Sequence, residues 1–266
     1  MVSVIVSFYE RLQHLQCCLD ALSLCADAFD EVIVTDDGSR EKTVDELKAL
    51  ASRYSFPINH VWQPKHGFRV AAARNNGIRH AKGDYLIFLD CDFVVLPDTL
   101  RAHLSAARPG RFVAGGYINL DEATSLRLLN TPLSSDLLKR VDRSLPQRHI
   151  VKTHRRFIKR TLLMRLGLAS HRKQSLGGHY SIHRKDIERV NGYDENFEGW
   201  GGEDEDLGIR LCMAGIYCRS AIRYARVFHL CHPKELRNKH WKEGPNIAYF
   251  NRKRIRSFCE NGLRKA

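Results

Sequence analysis

Short apolar runs alternate with amphipathic stretches along the first hundred residues. Val2 to Ser7 is apolar and β-branched, the pattern of a buried strand. From Tyr9-Glu10-Arg11 to about Cys25, apolar residues fall at Leu12, Leu15, Leu19 and Leu22, the period of a helix. Glu31 to Thr35 predicts a second strand, stopped by the turn residues Asp36-Asp37-Gly38-Ser39, and a helix follows from about Thr43 to Tyr54. Ile58 to Trp62 predicts a third strand, and His66-Gly67-Phe68 a loop leading into a helix through Ala71, Ala72, Ala73, Arg74 and Ile78 to Ala81. The fourth strand, Tyr85 to Val95, is bounded by Gly83 and Pro97 and contains an unbroken apolar run, as in a strand buried on both faces. This rhythm predicts an α/β fold: one domain built on a single doubly wound, mostly parallel sheet flanked by helices.

Beyond residue 100 the pattern is weaker. Phe112 to Ile118 reads as a strand with a bulge at Gly115-Gly116, Leu126 to Val141 as one helix, and Tyr224 to Phe228 as a last strand. Arg148 to Lys173 is densely basic around Phe157, Ile158, Leu162, Leu163, Met164, Leu166 and Leu168. Such a stretch suits a basic amphipathic helix on an anionic membrane, a clamp for an anionic acceptor, or a solvated helix face beside the core. The tail from Lys239 to Ala266 is basic, with Lys242 and Arg252 among its cations, and is expected to be helical.

Composition narrows the class. The 266 residues, 43% of them hydrophobic, suffice for a sizeable core. No apolar run approaches a membrane span, and the first residues lack the basic n-region of a signal peptide, so a cytoplasmic location is expected, peripheral on the inner face of the membrane if the basic segment binds there. Eight cysteines without a Cys-x-x-Cys pair point to reduced thiols. The net charge of +13 favours phosphate-rich partners: nucleic acid, an anionic membrane or an anionic glycolipid. Nucleic acid is not expected, because the Lys and Arg residues are not interleaved with stacking aromatics.

Candidate chemistry gathers at strand ends. If the fourth strand runs through Asp90-Cys91-Asp92, alternation projects both carboxylates to one side and turns Cys91 to the core. Paired carboxylates at a strand's carboxyl end suit a divalent ion carrying a diphosphate, although Asp-x-Asp also occurs as a turn or helix cap. The glycine patterns of dinucleotide and P-loop sites are absent. A second acidic group, Glu203-Asp204-Glu205-Asp206, follows Trp200-Gly201-Gly202 and opens a helix bearing Leu207, Ile209, Leu211 and Met213. Helix-dipole capping accounts for part of it, but stacked like charges also raise pKa values and can create a general base.

The set Val4-Ile5-Val6-Ser7-Phe8-Tyr9, Thr35-Asp36-Asp37-Gly38-Ser39, Ala73-Arg74-Asn75-Asn76-Gly77 and Leu89-Asp90-Cys91-Asp92 resembles the nucleotide-sugar-binding half of family 2 glycosyltransferases of the GT-A fold. The resemblance implies that Ser7, Tyr9 and Asp37, with Asp36, hold a uracil. It also implies that Arg74 lies near base or diphosphate, and that the Asp90-Cys91-Asp92 motif holds ribose and metal. Trp200-Gly201-Gly202-Glu203-Asp204 is similar to the acceptor-site motif of inverting galactosyl- and N-acetylhexosaminyltransferases and of bacterial chondroitin polymerases. Gly177-Gly178-His179-Tyr180-Ser181 and Arg184 fit the same region, with His179-Tyr180 departing from the usual Asn and apolar residue. By position, Asp204 is then the catalytic base, Glu203 orients a sugar, and Trp200 stacks on one beside Gly201 and Gly202. A matching histidine, His229 or else His232, becomes the third ligand of Mn²⁺ or Mg²⁺ beside Asp92 and Asp90; a zinc site of His229, Cys231 and His232 is the competing metal reading. The expected organisation is a nucleotide-sugar half (1–100), an acceptor half (101–230) and a basic tail (231–266). The expected activity is inverting transfer of a hexose or N-acetylhexosamine from a UDP-sugar to a glycan or glycolipid of a bacterial surface polysaccharide or lipopolysaccharide. The alternative is a non-catalytic nucleotide-sugar-binding or nucleic-acid-binding protein.

Overall fold

The computed structural model describes residues 1–232 and 243–265. Its first half follows the sequence pattern closely: β1 (Val2–Phe8), α1 (Leu12–Ser23), β2 (Glu31–Asp36), α2 (Glu41–Ala51), β3 (Ile58–Trp62), α3 (Val70–His80) and β4 (Tyr85–Asp90). Strand residues alternate between two layers. Val4, Val6, Val32 and Val34 pack with Leu15, Leu19, Leu22, Leu47 and Leu50 of α1 and α2, while Ile5 and Ile33 turn to Ala71 and Ile78 of α3 on the other face. Helix α3 comes very close to the sheet: a Cβ at Gly77 would lie 2.5 Å from Thr35 Cγ2 and 2.7 Å from Ile5 Cγ2.

The main sheet has seven strands in the order β3-β2-β1-β4-β8-β6-β9, with β6 (Arg111–Ala114), β8 (Tyr180–His183) and β9 (Tyr217–Ser220) completing it. Strands β1 to β4 are parallel, and β8 runs antiparallel between β4 and β6. Connections diverge from β1 towards β2 on one side and β4 on the other, the point where open α/β sheets form a ligand crevice.

The expected fourth strand is two strands. Pairing with β1 ends at Ser7 and Asp90; the Cys91 N–H still donates to the Ser7 carbonyl, and the chain then leaves the sheet. Strand β5 (Phe93–Val95) joins a second, three-stranded sheet, β5-β10-β7, with β10 (Arg226–His229) in the middle and β7 (Gly116–Asn119) beside it. Asp92 therefore lies in a turn, and the alternation that put it on Asp90's face does not apply. The strand expected over 112–118 likewise divides at Gly115, β6 serving one sheet and β7 the other.

The helix expected over 126–141 is two helices, α5 (Glu122–Leu129) and α6 (Ser135–Ser144). Pro132 lacks the N–H to continue the first, and Ser134 caps the second by accepting from the Leu137 N–H. Between β5 and β6 lies α4 (Thr99–Ala106), α7 (Arg148–Arg165) carries the basic segment, α8 (Arg184–Glu188) follows β8, and α9 (Glu203–Met213) carries the second acidic group. In the tail only α10 (Ile247–Phe250) is α-helical among the described residues, so the helix expected there does not run through them; Lys239, Lys242 and Ala266 lie outside them. No described helix is long and apolar enough to cross a membrane.

Candidate active site

Two charged clusters meet at the carboxyl ends of β1 and β4, and Arg74 holds the first. It sits on α3, and the close approach at Gly77 sets that helix against β1. Its guanidinium reaches Asp90 Oδ1 at 3.0 Å, Asp204 Oδ1 at 3.1 Å and Glu203 Oε1 at 3.3 Å, and its Nε–H donates to Ser7 Oγ at 3.1 Å. Burial disfavours the guanidinium charge, but Asp204, Asp90 and Glu203 overcome this and hold the proton firmly.

Glu203 and Asp204 are adjacent but unlike. Glu203 is buried, with Oε2 lacking a hydrogen-bond partner among the described residues. Burial, with the Asp204 charge added and Arg74 opposing, pushes its carboxyl up to about 8, so it is largely protonated at neutral pH. The Asp204 side chain is 34% exposed, and its Oδ1 also accepts from the Tyr193 hydroxyl at 3.2 Å. Asp206 belongs to the scaffold: it is fully buried and paired with Arg210 and Arg252 at 2.6 Å each. The preceding loop turns on glycines, Gly199, Gly201 and Gly202 having φ of 89°, 91° and 96°, and leaves Trp200 exposed. Asn246 ties this loop down by donating to the carbonyls of Gly199 and Gly201.

The second cluster is Asp92, His229 and His232, whose ligand atoms all lie within 4.8 Å of one another. Asp92 Oδ2 is 3.2 Å from His232 Nε2, 3.6 Å from His229 Nε2 and 3.1 Å from Arg11 Nη1, while the buried Oδ1 has no partner among the described residues. Burial works against the Asp92 charge, yet hydrogen bonds from the two imidazoles hold the carboxyl well below the usual range. His229 Nδ1–H donates to Asn119 Oδ1 at 2.8 Å, which turns Nε2 towards Asp92. The small sheet makes this arrangement, since β10 places His229 level with Phe93 on one side and Asn119 on the other.

Several expected site residues stand elsewhere or do other work. Asp90 is paired with Arg74 and is not part of the histidine cluster. Asp36 is fully buried, accepting from Ser39 and lying 3.0 Å from His60, so it braces the turn and does not line the crevice. The Cys91 side chain is buried in the core, where loss of hydration raises its thiol pKa far up. Asp37 accepts from Gln63, Lys65 and the Arg69 N–H, and Lys65 Nζ lies 3.6 Å from the ring centroid of the exposed Tyr9. His179 points into the core, donating to the Gly116 carbonyl, and Arg184 donates to the carbonyls of Gly83, Ile78 and Ala81. Cys231 is exposed and outside the histidine cluster, so the set expected for zinc, His229, Cys231 and His232, is not assembled among the described residues. Sequence reasoning gave no role to Arg11, Asn119, Asn246 or Tyr193; the first three lie in no motif, and Tyr193 stands in the stretch leading to Trp200-Gly201-Gly202.

Residues 3–167 match the family described as glycosyl transferase family 2, and residues 161–233 match the N-terminal domain of galactosyltransferase. The chain belongs to glycosyl transferase family 2, and it has the GT-A fold. It is 28% identical to chondroitin synthase of Escherichia coli over 93% of its own length and 37% of the relative's. It is 31% identical to validoxylamine A glucosyltransferase of Streptomyces hygroscopicus subsp. jinggangensis over 81% of its length and 52% of the relative's. The chain thus spans about a third to a half of these relatives. Among solved structures, a mannosyltransferase from Pyrobaculum calidifontis in complex with GDP-Man and Mn²⁺ aligns over 88% of this chain and 58% of its own, with TM-score 0.57 and 18% identity. TarS of S. aureus in complex with UDP-GlcNAc aligns over 88% and 59%, with TM-score 0.58 and 13% identity.

Proposed function

We infer that the chain transfers a hexose or N-acetylhexosamine from a UDP-sugar to a hydroxyl of a glycan or glycolipid, with inversion, in bacterial surface polysaccharide or lipopolysaccharide assembly. The observation that carries this reading is the convergence of Asp92, His229 and His232 with the Arg74-held pair Glu203 and Asp204 at one crevice. The relatives named chondroitin synthase and glucosyltransferase support the substrate class.

The donor set fits a divalent cation. Asp92 Oδ2 faces two imidazoles, and such mixed nitrogen and oxygen ligation suits Mn²⁺ better than Mg²⁺, which prefers oxygen. Asp92, His229 and His232 would hold the ion, and when bound it supplies positive charge to offset that developing on the departing diphosphate. Tyr9 offers an exposed ring for the base, with Ser7, Asp37 and Asp90 beside it.

Asp204 acts as the base. One oxygen is engaged by Arg74 and Tyr193, which fixes the carboxylate, and the exposed part takes the proton of the acceptor hydroxyl as that oxygen attacks the anomeric carbon. Attack from the side opposite the leaving group inverts the configuration in one step. Protonated Glu203 donates a hydrogen bond to a sugar oxygen, and Trp200 with Gly201 and Gly202 forms the acceptor platform. Residues 1–100 supply the donor side, and residues 101–230 supply the acceptor side together with His229, while His232 comes from the start of the tail.

The test is a panel of UDP-sugars with Mn²⁺, scored by thermal shift and by UDP release. One or two donors are expected to stabilise the chain and turn over slowly. Stabilisation by none of them would remove the UDP-sugar assignment.

A further inference from the structure

Helix α7 has two unlike faces. Ile150, Phe157 and Met164 are buried, the helix packs on β9, and His154 Nδ1 lies 2.9 Å from Ser220 Oγ of that strand. Away from that contact Ile158 and Leu162 of the helix and Leu166 at its C-cap follow one another at four-residue intervals, and Leu168 comes after the left-handed turn at Gly167; these four residues are 52–71% exposed. Arg148, Lys152, Arg155, Lys159 and Arg165 flank the stripe and are exposed, with no ion pair among the described residues. From Arg143 to Lys185 the sequence contains no Asp or Glu. A cavity of about 650 Å³ opens at the C-terminal end of the helix, with Met164, Ile209 and Met213 among its apolar walls and Arg172, Arg254 and Arg256 among its basic ones.

We propose that this face, the stripe from Ile158 to Leu168 with its basic flanks and the adjoining basic cavity, docks the protein on an anionic phospholipid surface. Leucine and isoleucine this exposed are costly in water, and a bilayer interface accepts them at the acyl boundary while lipid phosphates meet the cations. A second copy of the chain is a poor occupant, because a two-fold contact would set one uncompensated basic face against another. Nucleic acid would use the cations but not the aliphatic stripe, and the aromatic residue of this helix, Phe157, is buried.

The full chain is sedimented with vesicles of phosphatidylcholine alone and of phosphatidylcholine with a third phosphatidylglycerol. Binding to the anionic vesicles only is expected, weakening as salt is raised. Arg155→Gln and Lys159→Gln should each lower the partition coefficient by about fivefold. Ile158→Ser with Leu162→Ser should abolish insertion while the circular dichroism spectrum and turnover of a water-soluble acceptor stay unchanged; Leu166→Ser is the substitute should that pair misfold. Equal binding to neutral vesicles, no binding, or binding indifferent to these substitutions overturns the proposal. So does a dimer in analytical ultracentrifugation that the same substitutions dissolve, which would assign the face to a second copy. The partition readout does not depend on sugar transfer, so it stands or falls apart from the transferase mechanism.

Discussion

Arg74 Nη1 lies 3.1 Å from Asp204 Oδ1, across 130 positions of sequence, and this pair locks the acidic end of α9 to the helix that carries the donor-side motif. The same guanidinium contacts Asp90 and Glu203, so one cation ties three carboxyl groups together. Two outcomes follow for the pair. Asp204→Asn should lower kcat by about 10² to 10⁴ while donor binding persists, since it removes the proton acceptor and keeps the shape. Arg74→Ala should instead destabilise the fold by about 3–5 kcal/mol in urea denaturation, because it strands buried acids without their partner. Near-normal turnover in the first variant, or unchanged stability in the second, contradicts these roles.

Metal affinity should depend on a residue that supports a ligand without itself being one. Asn119 orients His229 through its Nδ1–H, so Asn119→Ala should weaken Mn²⁺ binding by about 10- to 100-fold, the usual cost of losing such a partner. Asp92→Asn should weaken it further. Calorimetric titration with Mn²⁺ measures both, and equal affinity in all three proteins would take the ion away from this cluster.

Stability should carry the mark of Glu203. Its carboxyl is raised from 4.5 to about 8 in the folded chain, so across that window the native state keeps a proton that the unfolded chain has lost. Stability from this group is present in full below 4.5 and is lost as pH rises through about 8. Glu203→Gln cannot ionise and should remove that part of the slope, giving a variant that gains on wild type as pH rises. Thermal midpoints across the window check the sign, and parallel curves would refute it.

Gly77 should tolerate nothing larger. A methyl group there meets Thr35 and Ile5 inside van der Waals contact, so Gly77→Ala should cost about 1–3 kcal/mol and shift Arg74 with the helix. Chemical denaturation measures the first effect, and loss of transfer activity at intact fold reports the second. A variant as stable and active as wild type would show that the helix has room to move.

Local pattern was enough for the layers. β-branched runs and 3.6-residue spacing placed β1, β2, β3 and the helices between them, because a strand buried on both faces and a helix with one apolar stripe each write their burial directly into neighbouring residues. The motifs also told which residue types would meet, since Ser7, Arg74, Asp90, Asp92, Glu203, Asp204 and His229 all reach the crevice. What no local pattern contained was the division of labour. Asp90 and Asp92 differ by two positions, yet one answers to Arg74 and the other to two histidines, because β4 ends between them and β5 joins another sheet. Asp36 and Asp37 look alike in sequence and differ in partners, and Asp204 and Asp206 differ in burial. Pairing between distant strands and the desolvation that follows from it set each carboxyl's charge and partner, and both arise only when the whole chain has folded.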